Sequence, residues 1–296
     1  IHSILLPDET VMTFGTLGVT KKENDKDIKS NKKITLTDGR TIERDSGSHQ
    51  WMRHDVNSAI DFDIWDPKKG VGDSSHVLYK QPVVMDAFCS VVRVIDNNRV
   101  FILGGNKNRD NLNLPDTQNQ TMIYDVKNKK FTLSKNLNFK RWYGSVVITG
   151  DEKMFIFGGK DRYPRTISTT PEMIDLKNID EGWKILDQAD SYDLFGDAGG
   201  NMEVNVTDEW FYPRSYLASD GNIVGISYNK TWVLDTKNNY RVLKTGEIPL
   251  VTSGISKILE HSNPNLSDSK KEYQKLLTIG SPVGPTNSTV MIEQDK

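Results

Sequence analysis

The sequence predicts an all-β fold in which four-stranded units are arranged around a common axis as a β-propeller. The first observation behind this prediction is a recurring hairpin. Residues Ser90 to Gly105, SVVRVIDNNRVFILGG, contain two β-branched runs around an Asp-Asn-Asn turn and end in a Gly pair. Related strings begin at Ser3, Ser145 and Ser215. One supersecondary unit recurring at intervals of about 50 to 90 residues is typical of repeat folds.

The second observation is a pair of further strands after each hairpin. In each unit an apolar residue stands directly before an Asp, and a charged turn follows. These pairs are Trp65-Asp66, Tyr124-Asp125, Ile174-Asp175 and Leu234-Asp235. A final strand such as Lys130 to Leu133 comes next. Each unit therefore has four strands, and four-stranded units arrayed radially are propeller blades.

Four such units fit within residues 1 to about 250, and we expect a fifth to start at Ser288 with STVMIEQDK. By alignment with the third unit, this fifth unit stops in mid-hairpin at residue 296. An unpaired strand would expose backbone donors and acceptors. We therefore expect residues 1–296 to form one partial propeller domain, completed by further chain or by a partner chain.

Two segments depart from the repeat pattern. Residues 17 to about 60 are polar and charged and read as an insertion loop, within which Thr35 to Ile42 predicts a small hairpin around Asp38-Gly39. Ser267 to Leu277 is compatible with a short helix, although its start lacks a capping box.

Composition narrows the classes of partner. The chain has 296 residues, 36% of them hydrophobic, and a formal net charge of -2, so we expect neither nucleic-acid binding nor attraction to anionic membranes. No apolar run approaches the roughly 18 residues that a membrane-spanning helix needs.

Cys89 is the only cysteine, which excludes a disulfide within the chain. Five Asn-x-Ser/Thr sequons favour a secreted, extracellular or cell-surface location; they lie at Asn119, Asn205, Asn229, Asn265 and Asn287.

Two strings at the start of neighbouring units carry a family resemblance. The second unit opens with Asp86-Ala87-Phe88-Cys89-Ser90, and the third opens with Lys140-Arg141-Trp142-Tyr143-Gly144-Ser145. The Gly-Gly hairpin followed by Tyr-Asp resembles the kelch repeat. The Phe-Cys and Arg-Trp-Tyr strings resemble the copper radical oxidases, which include glyoxal oxidase and galactose oxidase, and Arg-Trp-Tyr favours the glyoxal oxidase branch. The resemblance covers most of the chain, as the first part of a seven-bladed kelch-type propeller.

The resemblance implies a redox cofactor made from Cys89 and Tyr143. In this family the equivalent cysteine is bonded through sulfur to the tyrosine ring, and that tyrosine binds copper and holds a radical. The family oxidises a primary alcohol or aldehyde with O2 and releases H2O2. Cys89 and Tyr143 both stand just before the inner strand of their unit, so we expect them to meet near the propeller axis. A phenolate is a suitable copper ligand.

The other copper ligands of the family are a second Tyr followed by His, and a later His. No Tyr-His pair occurs in this chain, and none of its five histidines follows a tyrosine; they are His2, His49, His54, His76 and His261. The spacing of His49 and His54 could suit a metal pair, but such sites need three or four convergent ligands. We expect the missing copper ligands to come from the rest of the propeller.

Each candidate residue also has a structural interpretation. Cys89 can be an ordinary buried thiol, and Tyr143 can be a core or blade-interface aromatic residue. Trp142 suits packing between blades better than a substrate platform. Arg214, in the string Tyr212-Pro213-Arg214, is either part of a structural strand entry or a substrate contact.

Two function classes therefore remain open. The first is a copper radical oxidase that acts on a small alcohol, aldehyde or carbohydrate with O2. The second is a non-catalytic kelch-like propeller used for extracellular binding, adhesion or carbohydrate recognition. The pair Cys89 and Tyr143 favours the first class, and the missing ligands favour the second.

Overall fold

A computed structural model describes residues 2–14, 31–35, 41–45, 60–81, 87, 89–107, 116–117, 119–161, 166–196, 209–247, 255–260, 273–279 and 289–295. Over these residues the fold is all-β, as predicted, with four antiparallel sheets of four strands each. Each sheet has its four strands in chain order, as in a β-propeller, and in three of the sheets a separate hairpin is inserted between the second and third strands. We name these sheets blades 1 to 4.

The blades contain the following strands in chain order. Blade 1 has β1 (His2–Leu5), β2 (Val11–Phe14), an inserted hairpin of β3 (Asn31–Thr35) and β4 (Thr41–Asp45), then β5 (Ile60–Trp65) and β6 (His76–Gln81). Blade 2 has β7 (Val91–Val94), β8 (Arg99–Leu103), an inserted hairpin of β9 (Asn106–Lys107) and β10 (Asp116–Thr117), then β11 (Thr121–Asp125) and β12 (Lys130–Leu133). Blade 3 has β13 (Ser145–Ile148), β14 (Lys153–Phe157), an inserted hairpin of β15 (Lys160–Asp161) and β16 (Thr166–Ile167), then β17 (Glu172–Asp175) and β18 (Lys184–Ile185). Blade 4 has β19 (Arg214–Leu217), β20 (Ile223–Ser227), β21 (Lys230–Leu234) and β22 (Val242–Glu247).

Helical structure in the described residues is limited to short segments. These are the 3-10 turns Pro67–Lys69, Asp73–Ser75, Ile179–Glu181 and Asp187–Ala189, and the helix α1 (Tyr192–Phe195). None of these segments is long and apolar enough to span a membrane.

The first hairpin of every blade has the same register. The first residue of each inner strand pairs with the residue twelve positions later in the second strand, as the pairs His2 with Phe14, Val91 with Leu103, Ser145 with Phe157 and Arg214 with Ile226 show. The serines that the sequence aligns are therefore not equivalent in the structure. Ser90 precedes the first paired residue of its blade, Ser145 is that residue, and Ser3 and Ser215 follow it.

An Asp at the end of each third strand turns the chain toward the fourth strand. Its carboxylate accepts a hydrogen bond from a backbone N–H two or three residues later, at 3.1 Å for Asp66, 2.8 Å for Asp125, 2.8 Å for Asp175 and 2.9 Å for Asp235. Such a bond is an Asx turn, which fixes a reversal without help from other strands. The repeated apolar-Asp pairs therefore mark the third strands, as the sequence predicts.

The hydrophobic core lies between blades, because the second strands of blades 2 and 3 bury both of their faces. In β8, Val100 and Ile102 belong to a cluster with residues of blade 1, whereas Phe101 and Leu103 belong to a cluster with residues of blade 3. Since side chains alternate along a strand, one run of apolar residues packs against both neighbouring blades. β14 repeats this arrangement toward blades 2 and 4.

The inner strands follow one another around a hub, since β1 contacts β7, β7 contacts β13, and β13 contacts β19. In an antiparallel hairpin, the start of the inner strand and the end of the second strand lie at the same end. The three inserted hairpins leave their blades at that end, and β10 of blade 2 contacts β15 of blade 3. The predicted hairpin in the first insertion is β3 and β4, in which Thr35 pairs with Thr41.

The end of the chain differs from the sequence prediction. β25 (Thr289–Asp295) forms a three-stranded sheet with β23 (Ile255–Glu260) and β24 (Tyr273–Ile279), a pairing that the sequence did not predict. The helix considered for Ser267 to Leu277 is wrong for its described part, because β24 covers Tyr273 to Leu277. The stretch YQKLLTI pairs with a strand on each of its edges, and these long-range pairings decide its conformation.

Candidate functional site

Three residues occupy the same position at the heads of blades 2, 3 and 4. Cys89, Tyr143 and Tyr212 each stand two residues before the first paired residue of their inner strand. All three have left-handed backbones, with φ of 59°, 63° and 46°. This conformation is unfavourable for residues other than glycine, and such residues cluster at functional sites. We refer to these three residues as the head residues.

Backbone hydrogen bonds join the head residues in series. The N–H of Tyr143 donates to the carbonyl of Cys89 at 3.2 Å, and the N–H of Tyr212 donates to the carbonyl of Tyr143 at 2.9 Å. The backbones of Cys89 and Tyr143 are therefore adjacent in neighbouring blades, and the meeting of their side chains stays a prediction. Cys89 is buried, and Tyr143 and Tyr212 are partly buried.

The Gly pairs that follow β8 and β14 hold the heads of blades 3 and 4 against the blade before them. Gly105 and Gly159 donate their N–H groups to the carbonyls of Arg141 and Trp210, at 2.9 and 2.8 Å. Gly158 has φ of 60°, and a Cβ there would lie 2.6 Å from the carbonyl oxygen of Trp210. Only glycine permits this approach of two backbones, so the Gly pairs set the positions of the heads.

Aromatic rings surround Tyr143. The Trp142 ring lies 4.1 Å from it between centroids, and the rings of Phe211 and Tyr212 lie 5.0 and 4.9 Å away. Trp142 is buried, with 3% of its surface exposed, which suits the packing interpretation made from the sequence. Its role on the substrate side stays a prediction.

The arginine of the Arg-Trp-Tyr string is an internal anchor. Arg141 and Glu172 are both fully buried, and the Arg141 Nε donates to Glu172 Oε1 at 3.0 Å. The Arg141 Nη1 and Nη2 atoms donate to the carbonyls of Gly158 and Thr170, both at 2.6 Å. Burial lowers the pKa of Arg141, and the Glu172 carboxylate opposes that shift. The pair therefore ties the start of blade 3 to two of its own strands.

His2 and Ser145 are the first paired residues of blades 1 and 3, and each contacts the head of the next blade. The His2 Nε2 atom lies 3.0 Å from the Ala87 carbonyl and 3.4 Å from Ser90 Oγ, on either side of Cys89. The Ser145 hydroxyl donates to the Pro213 carbonyl, beside Tyr212. Because His2 and Ser145 are equivalent in register, these are two versions of one contact.

Electrostatic effects also link the head residues. Burial raises the pKa of Tyr212, and repulsion from the nearby Cys89 in its thiolate form raises it further. Burial lowers the pKa of Arg214, whose charge interacts with the phenols of Tyr216 and Tyr212. Arg214, the first residue of β19, is therefore near the heads, and its contact with substrate stays a prediction.

Metal donors are few in the part of the chain that the structure describes, where no three His, Cys, Asp or Glu side chains come together as a metal site. Tyr143 is the one copper ligand that the family resemblance assigns to this chain. The donors described here do not by themselves fit a copper site. The pair His49 and His54 lies outside the described residues.

Sequence reasoning assigned Cys89 and Tyr143 to one site but treated Tyr212 as part of a strand entry. The signal for Tyr212 is the alignment of Ala-Phe-Cys, Arg-Trp-Tyr and Trp-Phe-Tyr, which end at residues 89, 143 and 212. It becomes visible once the register of the inner strands is known, because the aligned serines are shifted relative to that register. His2 and Glu172 carry no comparable sequence signal.

The chain matches no protein-family model, and the comparison with curated proteins gave no match. Among solved structures it is similar to a fungal alcohol oxidase of the AA5 family in complex with copper, with a TM-score of 0.53 and 13% identity. The match covers 98% of this chain and 52% of that protein, so the chain spans about half the length of the structure it matches. At this identity the similarity shows the fold alone. The resemblance to copper oxidases is thus supported at the level of the fold.

Proposed function

We propose that this chain supplies the Cys89–Tyr143 half of a copper radical oxidase site, which oxidises a primary alcohol or aldehyde with O2 and releases H2O2. The observation that carries the proposal is the equivalence of Cys89 and Tyr143 at adjacent blade heads, with their backbones joined by a 3.2 Å hydrogen bond. The fold similarity to a copper-containing alcohol oxidase supports the same class. An extracellular or cell-surface location, favoured by the sequons, is part of the proposal.

The chemistry of this half of the site is a covalent bond between two side chains of the chain. The Cys89 thiol loses its hydrogen, one carbon of the Tyr143 ring loses a hydrogen, and a carbon–sulfur bond forms. The two electrons and two protons pass to O2, which becomes H2O2. A sulfur substituent makes the phenol easier to oxidise, and the buried position of Cys89 keeps its thiol away from bulk water.

Copper would supply one-electron redox chemistry and a Lewis acid beside the substrate oxygen when bound. Tyr143 is the residue of this chain that would contact it. Since the described donors do not complete a copper site, the remaining ligands are proposed to come from the rest of the propeller, in a longer chain or a partner chain.

A second candidate function is non-catalytic recognition of a carbohydrate or another extracellular partner. Its support is the group of partly buried rings at the heads, in which Tyr143, Phe211 and Tyr212 lie about 5 Å from one another; the three centroid distances are 5.0, 4.9 and 5.0 Å. Aromatic faces are common platforms for apolar and sugar ligands.

The test is a peptide map of the full natural protein after exposure to copper and O2. The oxidase proposal expects the peptides that contain Cys89 and Tyr143 to be joined, with a mass lower than their sum by the two hydrogens lost. Cys89→Ala and Tyr143→Phe should each abolish the joined peptide and alcohol-dependent H2O2 formation. Free alkylation of Cys89 in the copper-treated protein, together with retained carbohydrate binding, would support the non-catalytic function instead.

A further inference from the structure

Tyr212 lies in the same structural series as Cys89 and Tyr143 but belongs to the next blade. Its N–H donates to the Tyr143 carbonyl at 2.9 Å, just as the Tyr143 N–H donates to Cys89. Its left-handed backbone, with φ of 46°, matches theirs. The position of the Tyr143 backbone is thus fixed from both sides, by blade 2 and by blade 4.

The ring of Tyr212 also contacts the ring of Tyr143. Their centroids are 4.9 Å apart at an interplanar angle of 54°, and the Tyr212 ring is itself held by Phe211 at 5.0 Å. Trp142, from the same blade as Tyr143, contacts the Tyr143 ring at 4.1 Å. Tyr143 therefore has ring neighbours from two blades, and its ring orientation depends on blade 4 as well as on its own blade.

We propose that Tyr212 is a positioning residue, whose ring orients the Tyr143 ring for bond formation with Cys89. This inference rests on the proposed function, because it concerns the same carbon–sulfur bond. Bond formation between two side chains requires the reacting atoms to be held close together and aligned, and a displacement of about 1 Å can slow such a step by about 100-fold. Loss of the Tyr212 ring would remove one of the two rings at the head of blade 4 that contact Tyr143, the other being Phe211.

The substitution that tests this role is Tyr212→Gly, because glycine accepts the left-handed backbone without strain. Tyr212→Phe is the conservative variant, since it keeps the ring and removes only the hydroxyl. Tyr228→Gly is the matched control, because Tyr228 has a similar φ of 53° but follows β20 instead of standing at a blade head. Unfolding in urea checks that the compared proteins are folded.

The measurement is the rate at which the joined Cys89–Tyr143 peptide appears after copper and O2 are added to the full natural protein. We expect Tyr212→Gly to slow it by about tenfold or more, with Tyr212→Phe and Tyr228→Gly close to wild type. Three results would overturn this inference but not the proposed function. They are a wild-type rate in Tyr212→Gly, an equal slowing in Tyr212→Phe, and a bond from Cys89 to Tyr212. Absence of any joined peptide in wild type would overturn the proposed function and this inference together.

Discussion

Arg141 connects the stability of blade 3 to the candidate redox residue, because it stands two residues before Tyr143. Its guanidinium is fully buried and donates to Glu172 and to the carbonyls of Gly158 and Thr170. A buried cation is tolerated when an opposite charge and further acceptors surround it. Glu172 is equally well satisfied, since Asn138 donates to it from both its backbone and its side chain, at 2.6 and 2.9 Å.

Removing the Arg141 guanidinium should therefore lower the stability of the fold. We expect Arg141→Ala to lower the free energy of unfolding by about 3–5 kcal/mol, because Glu172 would remain buried without its partner. Arg141→Lys should recover only part of this loss, since an ammonium group lacks the planar fork of donors. Urea denaturation measures both variants.

Arg99→Ala is the surface comparison for this prediction. Arg99 forms an ion pair with Asp96 in which both side chains are more than one third exposed, and such pairs contribute about 0–1 kcal/mol. If Arg141→Ala costs no more than Arg99→Ala, Arg141 is not the anchor of blade 3.

At the scale of elements, the junctions of blade 2 with blade 3 and of blade 3 with blade 4 each include a contact between two backbones. The Gly pair at the end of one second strand donates to the head of the next blade, as Gly159 does to Trp210. The inner strands alone are short and polar in places, with Ser145 and Arg214 at their starts. The glycine contacts and the interblade core therefore share the task of setting the angle between neighbouring blades.

Adding a methyl group at this junction should weaken it. We expect Gly158→Ala to destabilise the protein by about 2–4 kcal/mol, since alanine would adopt a left-handed φ and crowd Trp210 and Pro213. Gly150→Ala is the control, because no heavy atom lies within 4 Å of the added Cβ, and its effect should stay within about 0.5 kcal/mol. Equal thermal unfolding temperatures for the two variants would contradict the role given to Gly158.

At the scale of the whole molecule, the sequence was sufficient for features that are encoded locally. Turn residues such as Asp96 and Asp125 fix hairpins and third strands through hydrogen bonds within a few residues. Continuous apolar runs, as in β8 and β14, already indicate strands buried on both faces. These local signals predicted the four-stranded units and placed Cys89 and Tyr143 at neighbouring heads.

Features that depend on long-range pairing were beyond the sequence. The extended conformation of β24 depends on its partner strands on both edges, not on its own β-propensity. The partnership of Arg141 with Glu172 joins residues far apart in the chain, and neither residue type predicts full burial. Tyr212 was missed for a different reason, because its equivalence to Tyr143 depends on a strand register that the repeated serines obscure.

Carboxylates make the stability of the whole molecule depend on acid. Among the described residues, those with a pKa below the ordinary value include Asp8, Asp96, Asp125, Asp151, Asp193 and Asp235. For Asp125 the largest cause is the hydrogen bond from the backbone of Asn128, and for Asp235 it is the bond from the Asn238 side chain. Both turns connect the third and fourth strands of their blades, so the same device acts in separate parts of the fold.

The direction of these pKa shifts determines the direction of the pH effect. An unfolded chain binds protons at carboxylates near pH 3.9, whereas the folded protein binds them only at lower pH. The stabilisation is therefore complete above about pH 5 and is lost as the pH falls through the folded pKa values. We expect the urea midpoint to fall between pH 5 and pH 3. The urea midpoint of the double variant Asp125→Asn, Asp235→Asn should fall less over this range, because asparagine keeps the acceptor oxygen but does not titrate. An equal or steeper fall of the midpoint would show that these turns are not a source of the acid sensitivity.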